Sequence, residues 1–330
     1  MKKFEWQATD SAPRGYVMRI VSGSLGYNDG SGSLYVPDGS SIEGDWGTGL
    51  SSHVVGDELK PLPNSLAITF FSYIENQFYQ AKFDLPYDKI LKLFQEGFYS
   101  PNNEKHITYD NIIVGVAPGG AVSVWLWGFE KKTEIFYGEA DKADIAWSAL
   151  TSATHITRDE YVRQTIQESL SKNSPETATS LSKKGIPFGL WNSYRTRYNW
   201  QPLFTGISLR DGRIGLIKYF NGEQDYLNYP LEKGIAASTR AIPSYMRFVW
   251  ERPEGKGRLF ELTFNEAEIF GAFKKLGSNN QSLQLEMHME LVEGKSMFSV
   301  ALRNDKESVK LKRTDLQTFA ARDRKVEASQ

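Results

Sequence analysis

The chain has 330 residues, of which 40% are hydrophobic and 24% charged, and its mean hydropathy is −0.45. This composition is typical of a globular protein of about two domains, and it excludes both a disordered chain and a long apolar span across a membrane. The sequence contains no cysteine, which excludes disulfides, thiolate zinc sites, iron–sulfur clusters and cysteine nucleophiles.

Charge is unevenly distributed along the chain, although the net charge is only −1. Residues 1–150 contain 12 basic and 19 acidic side chains, a net charge of −7, and residues 151–330 carry the opposite excess, +6. This distribution indicates either an acidic and a basic side, which would speed capture of a charged partner, or a scatter of charges without functional meaning. No dense basic run occurs, so nucleic acid is not an expected partner.

The first half of the sequence predicts strands and one helix. Alternating apolar runs between turn residues are typical of strands, and Asp-Gly pairs favour tight hairpin turns. The predicted elements are strands over Arg19–Tyr27, 32–36, Leu66–Tyr73 and Phe78–Leu85, a helix over Pro86–Phe94 with Gly97 as its C-cap, and strands over Asn111–Val116, Val122–Trp127 and Glu134–Tyr137.

The middle of the chain predicts helices. Thr157 and Glu160 form a capping box, in which each side chain can bond the backbone of the other residue. A second helix begins at Pro175, since proline is favoured at the first helical position.

The second half repeats the first at a spacing of roughly 180 residues, with small drifts that loops can absorb. Asp29-Gly30 corresponds to Asp211-Gly212, and Pro63 corresponds to Pro243. Later matches pair Phe83 with Phe264 and Val122–Val124 with Phe298–Val300. The repeat predicts an internal duplication.

We therefore predict an α+β protein of two similar, mostly antiparallel units. Each unit would hold one sheet of about six strands with one packed helix. The predicted boundaries are 1–148 for the first copy, 149–190 for a helical connector and 191–330 for a second, divergent copy.

Signatures of common catalytic and cofactor sites do not occur in the sequence. It contains no G-x-S-x-G, no phosphate-binding glycine motif and no H-E-x-x-H, and its four histidines are scattered. We therefore expect a protein that is not an enzyme and that has no metal and no cofactor. A hydrolase that uses scattered carboxylates is a minor alternative.

Two stretches are candidates for partner binding. The first is a glycine-rich segment whose spacing does not fit a calcium loop, and its candidate residues are Asp29, Asp38, Glu43, Asp45 and Trp46. Trp46, flanked by glycines and acids, could anchor a partner, stack on a sugar ring or plug an edge of its own domain.

The second stretch combines aromatic and basic residues: Trp191, Arg195, Arg197 and Trp200. Arginine stacked on an aromatic ring can recognise an anionic partner, and the same residues could instead wedge the connector between the domains. Near the C-terminus, Lys310, Lys312 and Arg313 are typical of a solvated edge strand.

Five segments together resemble a bacterial family known as domain of unknown function 2931. They are Gly47–Ser52, Phe71–Tyr79, Phe83–Pro86, Val114–Gly120 and Tyr194–Trp200. The family has no established enzyme activity. Its members often look like lipoproteins and are often encoded near type VI secretion effectors, particularly lipases, which implies an immunity role. This chain lacks the lipoprotein signal and the lipidated cysteine.

The leading hypothesis is a non-enzymatic immunity protein that binds and neutralises a type VI secretion toxin, its cognate effector. The alternative is a carbohydrate- or cell-envelope-binding module. As written, the sequence predicts a cytoplasmic protein without a transmembrane segment, and a removed signal peptide would make it periplasmic.

Overall fold

The computed structural model describes residues 2–51, 53–101, 103–153, 155–172, 175–206, 212–230, 235–251, 257–277, 282–292 and 295–320. The chain falls into two compact units. Unit 1 comprises the residues up to Tyr194 together with Asn221–Glu223, and unit 2 comprises Arg195–Phe220 and the residues from Gln224 onward. The predicted helical connector is part of unit 1, and the three-part division stays a prediction.

Unit 1 contains fourteen strands and four α-helices among its described residues. The strands are β1 (Phe4–Glu5), β2 (Gln7–Ser11), β3 (Met18–Tyr27), β4 (Ser33–Tyr35), β5 (Ser41–Ile42), β6 (Leu59–Lys60), β7 (Pro63–Ser72), β8 (Gln77–Asp84), β9 (Phe98–Ser100), β10 (Lys105–Ile107), β11 (Asn111–Ala117), β12 (Ala121–Gly128), β13 (Lys131–Glu139) and β14 (Asp141–Ala143). The helices are α1 (Tyr87–Glu96), α2 (Arg158–Lys172), α3 (Pro175–Lys184) and α4 (Leu190–Ser193).

The strands of unit 1 form two main sheets. One has the order β2-β11-β12-β13, and the other has the order β14-β8-β7-β3-β4 with β5 beside β3. Strand β2 runs parallel to β11, whereas the other pairings are antiparallel. Two short ribbons, β1-β6 and β9-β10, complete the unit. The single sheet that we expected for this copy is therefore two sheets.

One apolar core joins the two sheets and helix α1. Val114 and Val124 contribute from one sheet, Ile68 and Phe70 from the other, and the helix adds its buried residues. Gly97 ends α1 as predicted, because its positive φ of 56° turns the chain and its N–H donates to the Leu93 carbonyl.

The opposite face of strands β7 and β8 packs against the start of α2. The Arg158 guanidinium lies over the rings of Phe71, Phe78 and Trp147, at 5.3–5.6 Å from their centroids. It also donates to the side-chain and main-chain oxygens of Asn76, at 2.7 and 2.6 Å. Arg158 thus ties the helix to the β7–β8 turn, where Asn76 has a positive φ of 50°.

Unit 2 contains ten strands and one helix among its described residues. They are β15 (Arg197–Gly206), β16 (Arg213–Tyr219), β17 (Gln224–Pro230), β18 (Ser238–Ala241), β19 (Pro243–Glu251), β20 (Gly257–Thr263), α5 (Glu266–Leu276), β21 (Leu283–Val292), β22 (Lys295–Arg303), β23 (Ser308–Lys310) and β24 (Asp315–Ala320). The Asn265 side chain caps α5 by accepting from the Glu268 N–H at 3.1 Å.

Unit 2 also has two sheets on one core. One sheet has the order β18-β15-β21-β22-β23, and the strands of the other follow the order β17-β16-β19-β20-β24. Strand β15 runs parallel to β21. Phe248 from the second sheet, Leu285 from the first and Phe273 of α5 belong to the shared apolar core.

The same order of pairings occurs in both units. In each, an early strand pairs in parallel with the first strand of a later hairpin, and one helix follows the central antiparallel strands. Strands β7 and β19 begin at Pro63 and Pro243, the prolines that the sequence repeat pairs. The α+β class is confirmed, and the internal duplication stays a prediction. Asp211 of the repeat lies outside the described residues.

No helix in the described part of the chain has both the length and the apolar character needed to span a membrane.

Gly120 and Gly39 provide a matched test of the packing in unit 1. Both have φ near +80°, so an alanine costs about 1–2 kcal/mol in conformational strain at either position. A methyl group at Gly120 would also collide with the Ala140 carbonyl oxygen, whereas nothing lies within 4 Å at Gly39. We expect Gly120→Ala to lower the unfolding free energy, measured in urea, by at least about 1 kcal/mol more than Gly39→Ala. Equal losses would contradict this packing.

Candidate functional site

The glycine-rich segment that the sequence singled out is a loop held by strand β2. The buried Asp10 carboxylate accepts from the Ser51 N–H and the Ser51 hydroxyl, each at 2.9 Å. The Leu50 N–H donates to the Asp10 carbonyl at 3.0 Å. Burial raises the pKa of Asp10 above its ordinary value of 3.8, and the Ser51 hydrogen bonds only partly offset this effect.

Gly47 is a second anchor of this loop. Its N–H donates to the Ser11 hydroxyl at 3.0 Å, and its carbonyl accepts from the buried Lys132 ammonium. Its φ of 78° favours glycine, and a Cβ would lie 2.8 Å from the Gly222 Cα. The family segment Gly47–Ser52 therefore has a structural role as the anchored part of the loop.

Trp46 projects from this loop onto two buried tryptophans of unit 1. Its ring lies edge-to-face on Trp125 at 5.0 Å between centroids and tilted against Trp191 at 6.3 Å. Tyr16 extends the series with an edge-to-face contact on Trp191 at 5.5 Å. Trp125 and Trp191 are fully buried, whereas Trp46 and Tyr16 are half-buried. We call these four residues the aromatic series.

Polar groups surround Trp46. Arg14 and Asp45 form an exposed ion pair at 3.0 Å. The Glu43 carboxylate accepts from the Gly15 N–H at 3.0 Å and from the Ser169 hydroxyl of α2 at 2.7 Å. The loop that contains the half-exposed ring thus also contains charged side chains, which suits hydrogen-bonding partners as well as apolar ones.

The structure brings only some of the predicted binding residues together. Glu43, Asp45, Trp46 and Trp191 meet around the aromatic series. Asp29 lies in the β3–β4 turn, where it accepts from the Ser31 N–H and hydroxyl, and Asp38 is exposed in the next turn.

The second predicted stretch, from Trp191 to Trp200, does not form an exposed aromatic surface. Trp191 is 1% exposed and Trp200 is 0% exposed, so neither ring offers a face to a partner. Trp200 belongs to the core of unit 2, where its indole N–H donates to the Ala241 carbonyl at 3.1 Å. Arg195 is half-buried, and Arg197 is exposed at the start of β15.

Two further family segments meet in unit 1. One Glu75 carboxylate oxygen accepts from the Tyr79 hydroxyl at 2.6 Å, and the other accepts from the Gly119 N–H at 3.0 Å. Burial, followed by the hydrogen bond and charge of Glu75, raises the pKa of Tyr79 above its ordinary value. These residues join the β7–β8 turn to the β11–β12 turn and have a structural role.

Sequence reasoning missed Asp10, Ser11 and Trp125, which lie in strands with ordinary alternation and are far from the loop in sequence. Within the described ranges, no group of three or more potential metal ligands occurs.

The raised pKa of Asp10 predicts a pH-dependent contribution to stability. The folded state holds this proton more tightly than the unfolded chain, so the contribution is present at low pH and is lost as pH rises through the folded pKa. We expect the difference in unfolding free energy between the native protein and Asp10→Asn to fall as pH rises from about 3.8 and then to level off.

Urea unfolding between about pH 3.5 and 7 measures this difference. The same substitution at an exposed site, Asp38→Asn, provides the control. A difference for Asp10→Asn that is independent of pH would contradict the account.

Comparison with known proteins identifies the family. A family model described as "Protein of unknown function (DUF2931)" matches residues 1–189, which is nearly the whole main segment of unit 1. No curated protein matches the chain, and no solved structure matches it. Because the matched residues make up more than half of the chain, the protein belongs to the DUF2931 family.

Proposed function

We propose that the chain is a non-enzymatic protein-binding protein, namely an immunity protein that binds and neutralises a type VI secretion toxin. The observation that carries the proposal is a set of three exposed apolar side chains on neighbouring segments of unit 1, which we infer to form one patch. It consists of Tyr35, Val54 and Leu59, which are 39%, 85% and 54% exposed. Apolar side chains grouped in water are typical of protein interaction sites.

The patch lies where the exposed 53–58 loop meets two strand edges. The Tyr35 hydroxyl is 2.6 Å from Nδ1 of His53, which fixes the loop beside β4. Leu59 pairs with Glu5 in the β1-β6 ribbon. β4 is the last strand of its sheet, so the patch borders a free edge in the described part of the unit.

Charged residues flank the patch along the chain and in strand register, as at the rim of a protein interface. Asp57 and Glu58 directly precede Leu59, and Glu5 is its register partner. Lys3 is exposed and precedes β1, the strand that contains Glu5. The mixed rim and the net charge of −7 on residues 1–150 favour a basic partner that carries an apolar anchor.

The family that the chain resembles is often encoded near type VI effectors. For this reason, we propose that the partner is a toxin encoded beside this gene. The cytoplasmic location expected from the sequence is part of the same proposal, and fractionation of cells that express the native gene tests it.

The patch predicts a specific effect of substitution. We expect Val54→Arg combined with Leu59→Arg to weaken toxin binding at least about tenfold, because central apolar contacts dominate interface energies. Pull-down of neighbouring gene products, titration of the captured toxin and rescue of poisoned cells measure this effect. Met297→Arg, at a 53% exposed site in unit 2, is the matched control.

Thermal unfolding must show that the doubly substituted protein remains folded. The proposal fails if no neighbouring toxin binds the native protein, if the native protein does not rescue poisoned cells, or if Met297→Arg weakens binding as much as the double substitution.

A carbohydrate-binding module is the second candidate, and the half-exposed Trp46 favours it. Its ring is held by Trp125 and Trp191 beside exposed polar groups, an arrangement that suits stacking of a sugar ring.

In this second case, we expect a glycan array to show binding that Trp46→Ala reduces at least about tenfold. Tyr99→Ala, at a 60% exposed aromatic site elsewhere in unit 1, should leave the binding unchanged. An array without signal, or a signal insensitive to Trp46→Ala, would reject sugar stacking at this residue.

A further inference from the structure

Unit 2 contains an open cleft of about 310 Å³ that the toxin-binding proposal does not use. Residues from both sheets of the unit line it, near the two edge strands β23 and β24. The volume lies at the lower end of the range for small-molecule sites in proteins.

One wall of the cleft is apolar and continuous with the core, whereas Ser299, Thr314 and two lysines make up much of the remaining lining. Leu262, Val300 and Leu311 are buried core residues, and Phe298 packs against the same core. Leu316 of β24 also lines the cleft and is 37% exposed, so water reaches an apolar wall there. Covering such a surface with an apolar ligand is favourable.

Positively charged residues also line this cleft. Lys310 and Lys312 line it with exposed side chains. Over the described ranges, no carboxylate lies within ion-pair distance of either ammonium group. The backbone here is fixed, because the N–H groups of Lys312 and Arg313 both donate to the Glu268 carboxylate at 2.8 Å.

From this combination we propose that the cleft binds an amphiphilic anion, specifically a free fatty carboxylate of medium chain length. The hydrocarbon chain lies along Phe298, Val300 and Leu316, and the carboxylate lies between the ammonium groups of Lys310 and Lys312. Burial of the hydrocarbon chain supplies most of the binding free energy. The exposed ion pairs with the two lysines contribute only modestly, and their effect is to favour an anionic head group over a neutral one.

Titration of the full chain with decanoate and with decanol tests the proposal. We expect decanoate to bind at least about fivefold more tightly than decanol, because only the carboxylate pairs with the lysines. Lys310→Gln combined with Lys312→Gln should remove this preference and leave decanol binding unchanged. Leu316→Trp should weaken both ligands by filling the cleft.

Lys274→Gln combined with Lys306→Gln is the control, since both lysines are exposed in unit 2 and do not line the cleft. Circular dichroism and thermal unfolding verify that each variant is folded. Equal affinity for decanoate and decanol, or an equal loss of decanoate binding in the control, would overturn the proposal.

The source of the anion is tested separately with vesicles of phosphatidylcholine, with and without phosphatidylglycerol. Binding of free decanoate without co-sedimentation supports the proposed ligand. Co-sedimentation with the anionic vesicles in the absence of decanoate binding would overturn it in favour of a membrane surface.

Discussion

The parallel pairing of β2 with β11 is the contact on which unit 1 depends. It joins Gln7 to Asn111 and continues to Ser11 and Gly115, so two segments far apart in sequence must meet before this sheet is complete. The same strand supplies Asp10 and Ser11, which anchor the glycine-rich loop, and that loop carries Trp46 onto Trp125. Unit 2 repeats the pairing with β15 and β21.

Local signals predicted the elements of this fold well, whereas long-range pairing was not predictable. The alternation over Phe78–Leu85 and the glycine after α1 are properties of neighbouring residues, and the structure confirms both. Alternation shows which face of a strand is buried, but it does not show which strand lies beside it. Each unit therefore has two sheets where the sequence predicted one. In each unit, a parallel pairing of distant strands completes one of these sheets.

The candidate site was predictable only in part, for the same reason. Trp46 stands out among glycines and acids, but Asp10 and Trp125 lie in ordinary strands and reach the loop only through tertiary pairing. The stretch from Trp191 to Trp200 shows the same limit from the other side. Its aromatic and basic residues allowed either an anion-binding surface or a wedge beside the connector, and only the folded chain shows that both tryptophans are buried, because aromatic residues support a core as readily as a surface.

We propose that the exposed patch of Tyr35, Val54 and Leu59 binds the protein partner, whereas most of the family segments stabilise the fold of unit 1. The most direct test is hydrogen–deuterium exchange of the full chain, alone and saturated with the captured toxin. The account predicts slower exchange over residues 29–35 and 53–60 in the complex, with β23 and β24 unchanged. Unchanged exchange over 53–60 in a saturated complex would contradict it.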